Sequence, residues 1–170
     1  MNAAESVAAL DTVEEDHRLV LEKMRALRDA IGWLISPGAP GRRRAVERLR
    51  EVHDYFATHF AAHLLEEERT LFPYLRRNLP DGADLVARLQ AEHTEIRRKR
   101  EEFGNCLDVA AELGDGLPSA VVNDLLVFGW ELWDILDHHA HAETYAVQRC
   151  LARALPTEPA PTPARVAAPV

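Results

Sequence analysis

The sequence predicts an all-α protein, folded as an up-down-up-down four-helix bundle. Apolar residues recur at steps of three and four along four long segments, which is the period of a helix with one buried face. Connections of about five residues, rich in glycine and proline, separate these segments and suit antiparallel neighbours. No stretch alternates between apolar and polar residues, so no sheet is expected.

Capping and turn residues bound the first two helices. Thr12 with Glu15 forms a capping box, so the first helix is expected to begin at Thr12. Its apolar stripe continues to the turn residues at 36–41. The second helix is predicted over 42–78. Pro73 should bend it, because proline lacks a backbone N–H and clashes with the preceding turn.

The last two helices are predicted over 83–113 and from the glycine-rich break at 114–119 to the residues before Pro156. From Pro156 onward, five prolines among mostly small residues cannot form a packed core and predict a disordered tail. The predicted organisation is therefore a flexible leader over 1–11, one helical bundle over 12–155 and a disordered proline-rich tail over 156–170.

The composition argues against several classes of protein. A net charge of −8 disfavours binding to the phosphate backbone of nucleic acids. Charges interrupt every apolar stretch, so no membrane span or secretory signal is expected. The two cysteines, Cys106 and Cys150, form neither a disulfide framework nor a thiolate metal site by their spacing. Together these features predict a cytoplasmic protein.

Each predicted helix carries a histidine on its apolar stripe, where leucine would otherwise be expected. Two of these histidines begin a His-x3-Glu spacing, which places an imidazole and a carboxylate one turn apart on the same face of a helix. In an up-down bundle with a rise of about 1.5 Å per residue, all four fall near one layer. The residues of this expected layer are His17, His63, Glu67, His93, His139 and Glu143.

Burying four imidazoles and two carboxylates at one level would be costly without a partner. A core polar network, in which the carboxylates satisfy the imidazoles, is one solution. A pair of metal ions accounts better for four imidazoles and two carboxylates. Each ion would take two imidazoles, both ions would share the two carboxylates, and a coordination position would stay open. Such ligands suit iron, zinc or manganese, and the spacing does not choose between them.

The same residues resemble the hemerythrin-like, HHE cation-binding, family over about 12–154. The resemblance is carried by the His-x3-Glu at His63, followed by Glu68 and by Leu-Phe-Pro at 71–73, by single histidines in the first and third helices, and by a second His-x3-Glu. It implies two non-haem iron ions with an oxo or hydroxo bridge, and reactivity towards O₂, NO or peroxide. It implies as metal ligands His17, His63, Glu67, His93, His139 and Glu143.

One position departs from the oxygen-carrying members of that family. They have a fifth histidine one turn after the ligand of the third helix, and this chain has Arg97 there. Four histidines with two glutamates resemble instead the subgroup associated with the repair of iron centres and with NO or peroxide chemistry. Arg97 could act at the metal or pair with a carboxylate at the rim, and the rim is preferred. Glu66 and Glu68 are expected to be surface charges.

Two further histidines are candidates for roles at the site. His138 lies five residues before Glu143, the spacing found in the oxygen carriers, so it could replace His139 as a ligand. His139 is preferred because it continues the apolar stripe. His59 lies one turn before His63 and could be a fifth ligand, a proton donor beside the metal, or a histidine at the edge of the core.

These observations predict a di-iron protein that reacts with a small oxidant, O₂, NO or peroxide, with a catalase-like activity as one form, under oxidative or nitrosative stress. The expected partner is a diatomic molecule or peroxide, rather than a nucleic acid or a membrane. A sensor of O₂ or NO, an iron donor for repair of iron-sulfur centres and a di-iron oxygenase acting on an organic substrate are the alternatives. A helical bundle without metal is the simplest interpretation that remains.

Overall fold

The structure is a computed structural model that describes the backbone of residues 3–35, 41–114 and 116–154, and the side chains from residue 18 to residue 153 within those ranges. These ranges are helical apart from short connections and contain no strand, so the predicted all-α class is confirmed. The helices are α1 (Ala3–Ile35), α2 (Arg42–Ala57), α3 (His59–Arg69), α4 (Leu71–Asn78), α5 (Gly82–Leu113) and α6 (Ser119–Ala154). Nowhere in the described ranges is a helix both long and apolar enough to cross a membrane.

The six helices form the four rods of a bundle, because α2, α3 and α4 follow one another as a single interrupted rod. α1 packs against α2 and α6, and α5 packs against α2, α4 and α6. The first helix begins at Ala3, well before the predicted start at Thr12, so Thr12 lies inside the helix rather than at its cap. The division into leader, bundle and tail stays a prediction, and the tail lies outside the described residues.

The interruptions of the second rod lie at Thr58 and Thr70. At both residues the backbone leaves ideal helix geometry, and the hydroxyl donates a hydrogen bond to the carbonyl four residues earlier, at 2.7 Å for Thr58 and 2.8 Å for Thr70. Threonine back-bonding of this kind bends helices. The break at Thr70 also precedes Pro73, which cannot donate to the carbonyl of Arg69. The rod is therefore interrupted about one turn before Pro73, and the bend expected at Pro73 stays a prediction.

The described side chains form two apolar clusters inside the bundle. The larger core cluster is contributed by α1, α2, α3, α5 and α6, and its most buried large side chains are Leu27, Ile31, Leu49, Phe56, Leu64, Ile96, Phe103, Leu107 and Leu125. The smaller core cluster is built from α4, α5, α6 and the residue after α4: Leu71, Phe72, Leu75, Leu79, Leu85, Val86, Leu89, Ala146, Val147 and Cys150. Burial of each large aliphatic side chain contributes about 1.5–3 kcal/mol to folding.

Buried polar residues separate the two clusters. On the interrupted rod, Leu64 belongs to the larger core cluster, Glu67 is buried, and Leu71 belongs to the smaller core cluster. α5 and α6 pass from one cluster to the other in the same way, through polar residues at the same level. The buried polar residues are Glu67 on α3, His93 on α5, and His139 and Glu143 on α6.

Candidate metal centre

Five side chains that the sequence predicts as ligands meet between the two core clusters, and we call them the polar layer: His63, Glu67, His93, His139 and Glu143. Four of them are at most 2% exposed, and the side chain of His63 is 10% exposed. His17, the sixth predicted residue, lies on α1 among the residues whose side chains are not described. Helical spacing explains the layer, because each residue occupies an apolar stripe position of its own helix.

Glu67 occupies the middle of the polar layer. Its Oε1 lies 2.5 Å from Nε2 of His63, which is one turn earlier on the same helix. Its Oε2 lies 3.2 Å from Nε2 of His93 and 3.9 Å from Nε2 of His139. The two oxygens therefore face different imidazoles, one on α3 and the others on α5 and α6. A carboxylate placed in this way is suited to bridging two cations.

The potential ligand atoms of the layer form two groups that share Glu67. One group consists of Glu67, His93 and His139, and the other of His63, Glu67 and Glu143. Within each group the ligand atoms lie within 4.8 Å of one another, close enough to contact a common ion. The nitrogen and oxygen donors match the preferences of iron, zinc and manganese.

The imidazoles of His93 and His139 face each other, with their Nε2 atoms 3.3 Å apart. Their Nδ1 atoms contact carboxylates on the outer side, Glu68 at 2.8 Å and Glu92 at 3.0 Å. An ionised carboxylate can only accept a hydrogen bond, so each Nδ1 carries a hydrogen. A neutral ring then directs the lone pair of its Nε2 inwards. Two lone pairs beside the Glu67 carboxylate require a cation between them, which can be a proton or a metal ion.

The charges around His139 also favour a cation, either a proton or a metal ion, at its inner nitrogen. Burial alone would lower the pKa of this imidazole, but the nearby carboxylates of Glu67, Glu92 and Glu143 outweigh burial and raise the pKa to about 9. In the metal-free protein at neutral pH a proton therefore occupies His139. A metal ion that binds Nε2 must displace this proton.

Glu68 is not a surface charge, so that expectation was wrong. Its side chain is 28% exposed, and Oε1 accepts hydrogen bonds from His93 Nδ1 and from Arg97 Nη2, the latter at 2.6 Å. Burial raises the pKa of Glu68, but the hydrogen bonds from Arg97 and His93 outweigh it, so the pKa lies below its usual value. Arg97 thus pairs with a carboxylate, the arrangement preferred from the sequence.

Sequence reasoning did not identify Glu92. Its side chain is 16% exposed and its Oε2 contacts Nδ1 of His139. The hydrogen bond and charge of His139 hold the pKa of Glu92 below its usual value despite burial. Glu68 and Glu92 each adjoin a member of the polar layer in sequence, at Glu67 and His93. That adjacency is the signal in the sequence that could have identified Glu92, and Glu68 is in addition part of the motif that carries the family resemblance.

The other candidate histidines are exposed rather than buried in the layer. The side chain of His138 is 70% exposed, and its Nε2 lies 3.6 Å from Glu92. His59 is exposed, with Nδ1 3.0 Å from Thr58 Oγ1 and its ring stacked on Tyr55 at a centroid distance of 5.6 Å. Within the described residues, neither histidine belongs to the two groups of potential ligands.

Comparison with known families gives one match. The family model described as the Hemerythrin HHE cation binding domain matches residues 8–151, which include every member of the polar layer. Comparisons with curated proteins and with solved structures find no match.

Proposed function

This chain belongs to the hemerythrin HHE cation-binding family, and on that premise we propose that its polar layer holds two iron ions that react with O₂, NO or peroxide. The observation that carries the proposal is the pair of ligand groups sharing Glu67 in the buried polar layer. Membership of the family makes the chain a metal-binding protein. The number of ions, their bridge and their reaction are the parts that we propose.

The proposed ligands are the six residues predicted from the sequence. His93 and His139 would bind one ion together with Glu67, and His63, Glu67 and Glu143 would contribute to the second. His17 on α1 would complete the set, since it is the stripe histidine of the remaining rod. The remaining bridge would be an oxo or hydroxo group, and zinc or manganese are the alternatives to iron.

Residues in and around the layer would balance the charge of the ions and exclude bulk water, which suits a reaction with a small oxidant. When bound, the iron pair supplies and accepts the electrons of the reaction. Glu67 and Glu143 would balance the charge of the ions inside the core. Phe72 packs on the ring of His93 at a centroid distance of 4.9 Å, and together with Leu64 it keeps bulk water from the layer.

The burial of the layer favours a reactant of few atoms. His93 and Glu143 are 0% exposed and Glu67 is 2% exposed. A surface cavity of about 530 Å³ is lined by His63, but Glu67, His93 and Glu143 are not among the described residues that line it. An organic substrate of ordinary size would need a cleft that reaches those three side chains. We therefore favour diatomic molecules and peroxide over the oxygenase alternative. We place this reaction in the cytoplasm, in the response to oxidative or nitrosative stress, where both free cysteines would stay reduced.

Metal analysis tests the centre. Protein expressed with iron supplementation should contain about two ions per chain, on the ligand inventory of a two-metal site. Glu67→Gln should lose most of this metal, because it removes the shared charge, whereas Glu66→Gln on the exposed face of the same helix should retain it. Wild-type protein free of bound metal would overturn the proposal.

Peroxide addition tests the reaction. A catalase-like centre converts two H₂O₂ into two H₂O and one O₂, which an oxygen electrode detects. Absence of gas release together with an unchanged visible spectrum would refute the reactive form of the proposal. A reversible spectral change under O₂ or NO without turnover would indicate a sensor instead. Transfer of iron to an apo iron-sulfur protein would indicate a repair role.

A further inference from the structure

A second set of carboxylates lies behind the polar layer. Glu68 from α3 contacts the outer nitrogen of His93 on α5, and Glu92 from α5 contacts the outer nitrogen of His139 on α6. The two carboxylates are therefore contributed by helices other than those of the imidazoles that they contact. Each contact fixes the rotation of a ring and the position of its proton. In both rings the inner nitrogen is left to face the centre of the layer.

We propose that Glu68 and Glu92 are positioning residues of the metal centre, and that Arg97 holds Glu68 in place. The proposal rests on the metal centre proposed above. It assigns a specific task to residues that need not touch a metal ion. Glu68 and Arg97 would orient His93, and Glu92 would orient His139.

The contacts of Arg97 support this assignment. Its Nη2 lies 2.6 Å from the same Glu68 oxygen that His93 Nδ1 approaches at 2.8 Å. A guanidinium can only donate a hydrogen bond, so the shared Glu68 oxygen accepts one hydrogen bond from Arg97 and one from His93. His93 must then donate from Nδ1 and present Nε2 inwards. The residue that stands where oxygen carriers have a fifth histidine thus acts on the layer through a carboxylate.

The exposure of Arg97 and Glu68 indicates that their ion pair positions His93 rather than stabilising the fold. The side chains of Arg97 and Glu68 are 37% and 28% exposed. Ion pairs with this exposure contribute about 0–1 kcal/mol to stability. Loss of the pair should therefore change folding little. Its main effect is expected on His93, whose ring is 0% exposed and whose Nδ1 hydrogen is positioned by Glu68.

Glu92 contacts His139 in the same way that Glu68 contacts His93. Its Oε2 lies 3.0 Å from His139 Nδ1, and its Oε1 lies 3.6 Å from Nε2 of the exposed His138. The side chain of Glu92 is 16% exposed, so it is more enclosed than Glu68. Removal of a carboxylate that holds a ligating histidine typically weakens metal binding by about 10–100-fold.

The experiment measures Co²⁺ affinity and the visible absorption of the Co²⁺-loaded protein, for wild type and for single variants of the full chain. Glu68→Ala and Glu92→Ala should each weaken binding by about 10–100-fold and shift the Co²⁺ absorption bands. Arg97→Gln should shift the bands in the same direction as Glu68→Ala, by a smaller amount. Arg97→Lys should shift the bands less than Arg97→Gln does, because lysine keeps the positive charge beside Glu68.

Arg98→Gln is the matched control. Arg98 is the next residue on α5, and its exposed guanidinium pairs with Glu95 and Glu102 rather than with the layer. The role of Arg97 would be overturned if Arg97→Gln had the same Co²⁺ affinity and the same absorption bands as Arg98→Gln. Unchanged affinity in both alanine variants would overturn the role of the carboxylates. Thermal unfolding of the metal-free proteins identifies a variant that fails to fold, and Arg97→Lys then provides the comparison.

The same measurements separate this inference from the proposed centre. Wild-type protein that does not bind Co²⁺ would overturn the metal centre and the inference with it. Wild-type protein that binds Co²⁺, with variants that bind equally well and have the same spectrum, would overturn the inference alone.

Discussion

Raising the pH of the metal-free protein should destabilise it, because a proton on His139 stabilises the folded state. Burial opposes this proton, but Glu67, Glu92 and Glu143 outweigh burial and raise the pKa of His139 from 6.5 to about 9. In the unfolded chain the pKa of this imidazole returns to 6.5. Between these values the folded protein holds a proton that the unfolded chain has lost. The free energy of unfolding therefore decreases as the pH rises through this window.

The magnitude follows from the size of the shift. Each pKa unit corresponds to about 1.36 kcal/mol, so a rise from 6.5 to about 9 corresponds to roughly 3 kcal/mol. The whole contribution is present below pH 6.5 and is lost once the pH exceeds about 9. Domains of this size are stable by about 5–15 kcal/mol in total. A loss of about 3 kcal/mol is therefore large enough to measure by denaturant unfolding.

The assay is urea unfolding of chelator-treated protein at intervals between pH 6 and pH 9. His139→Gln should lose the dependence on pH, whereas His141→Gln, at an imidazole with a 75% exposed side chain on the same helix, should keep it. Comparison between the variants cancels the contributions of titrating groups that do not contact His139. Metal-loaded protein should not show the decrease, because the metal replaces the proton.

Two results would refute the reasoning. One is a free energy of unfolding that stays constant between pH 6 and pH 9 in the metal-free wild type. The other is an equal decrease in His139→Gln, which would place the responsible proton on another group.

Four further predictions concern packing and reactivity. Phe103→Ala should cost about 3–5 kcal/mol in denaturant unfolding, because the ring is fully buried, and a loss near zero would contradict its place in the core. Gly32→Ala should stabilise by up to about 1 kcal/mol, since a Cβ there meets no atom of the described residues within 4 Å. Gly104→Ala should fail to stabilise, because its Cβ would come within 2.7 Å of His53 Nε2, and equal thermal shifts for the two glycine variants would contradict this difference. Cys106 should resist alkylation at neutral pH until the protein unfolds, because burial raises the pKa of its thiol to about 11; rapid labelling of the folded protein in mass spectrometry would argue against it.

Helix period made much of the polar layer predictable. His63 and Glu67 are one turn apart, so the sequence alone places them on one face of α3. Their position on an apolar stripe indicates burial, and the structure places Glu67 at 2% exposure. The preference for His139 over His138 used the same stripe, and the structure buries His139 and leaves His138 exposed.

Local chemistry was less informative at helix boundaries. The capping box at Thr12 is a valid start signal, yet α1 continues through it to Ala3. The interruption at Thr58 was not predicted, because threonine inside a helix is common and only some threonines break it. These features depend on small differences in free energy that neighbouring helices can reverse.

The sequence by itself determined the four amphipathic rods and the polar residues on their stripes. These properties depend on spacing within one helix, and a period of 3.6 residues needs no knowledge of neighbours. Only the tertiary structure decided that Glu68 holds His93 and that Glu92 holds His139. Both carboxylates lie beside the stripe rather than on it. Their partners depend on how far each helix is rotated and shifted against the next, which is settled by packing of the whole core.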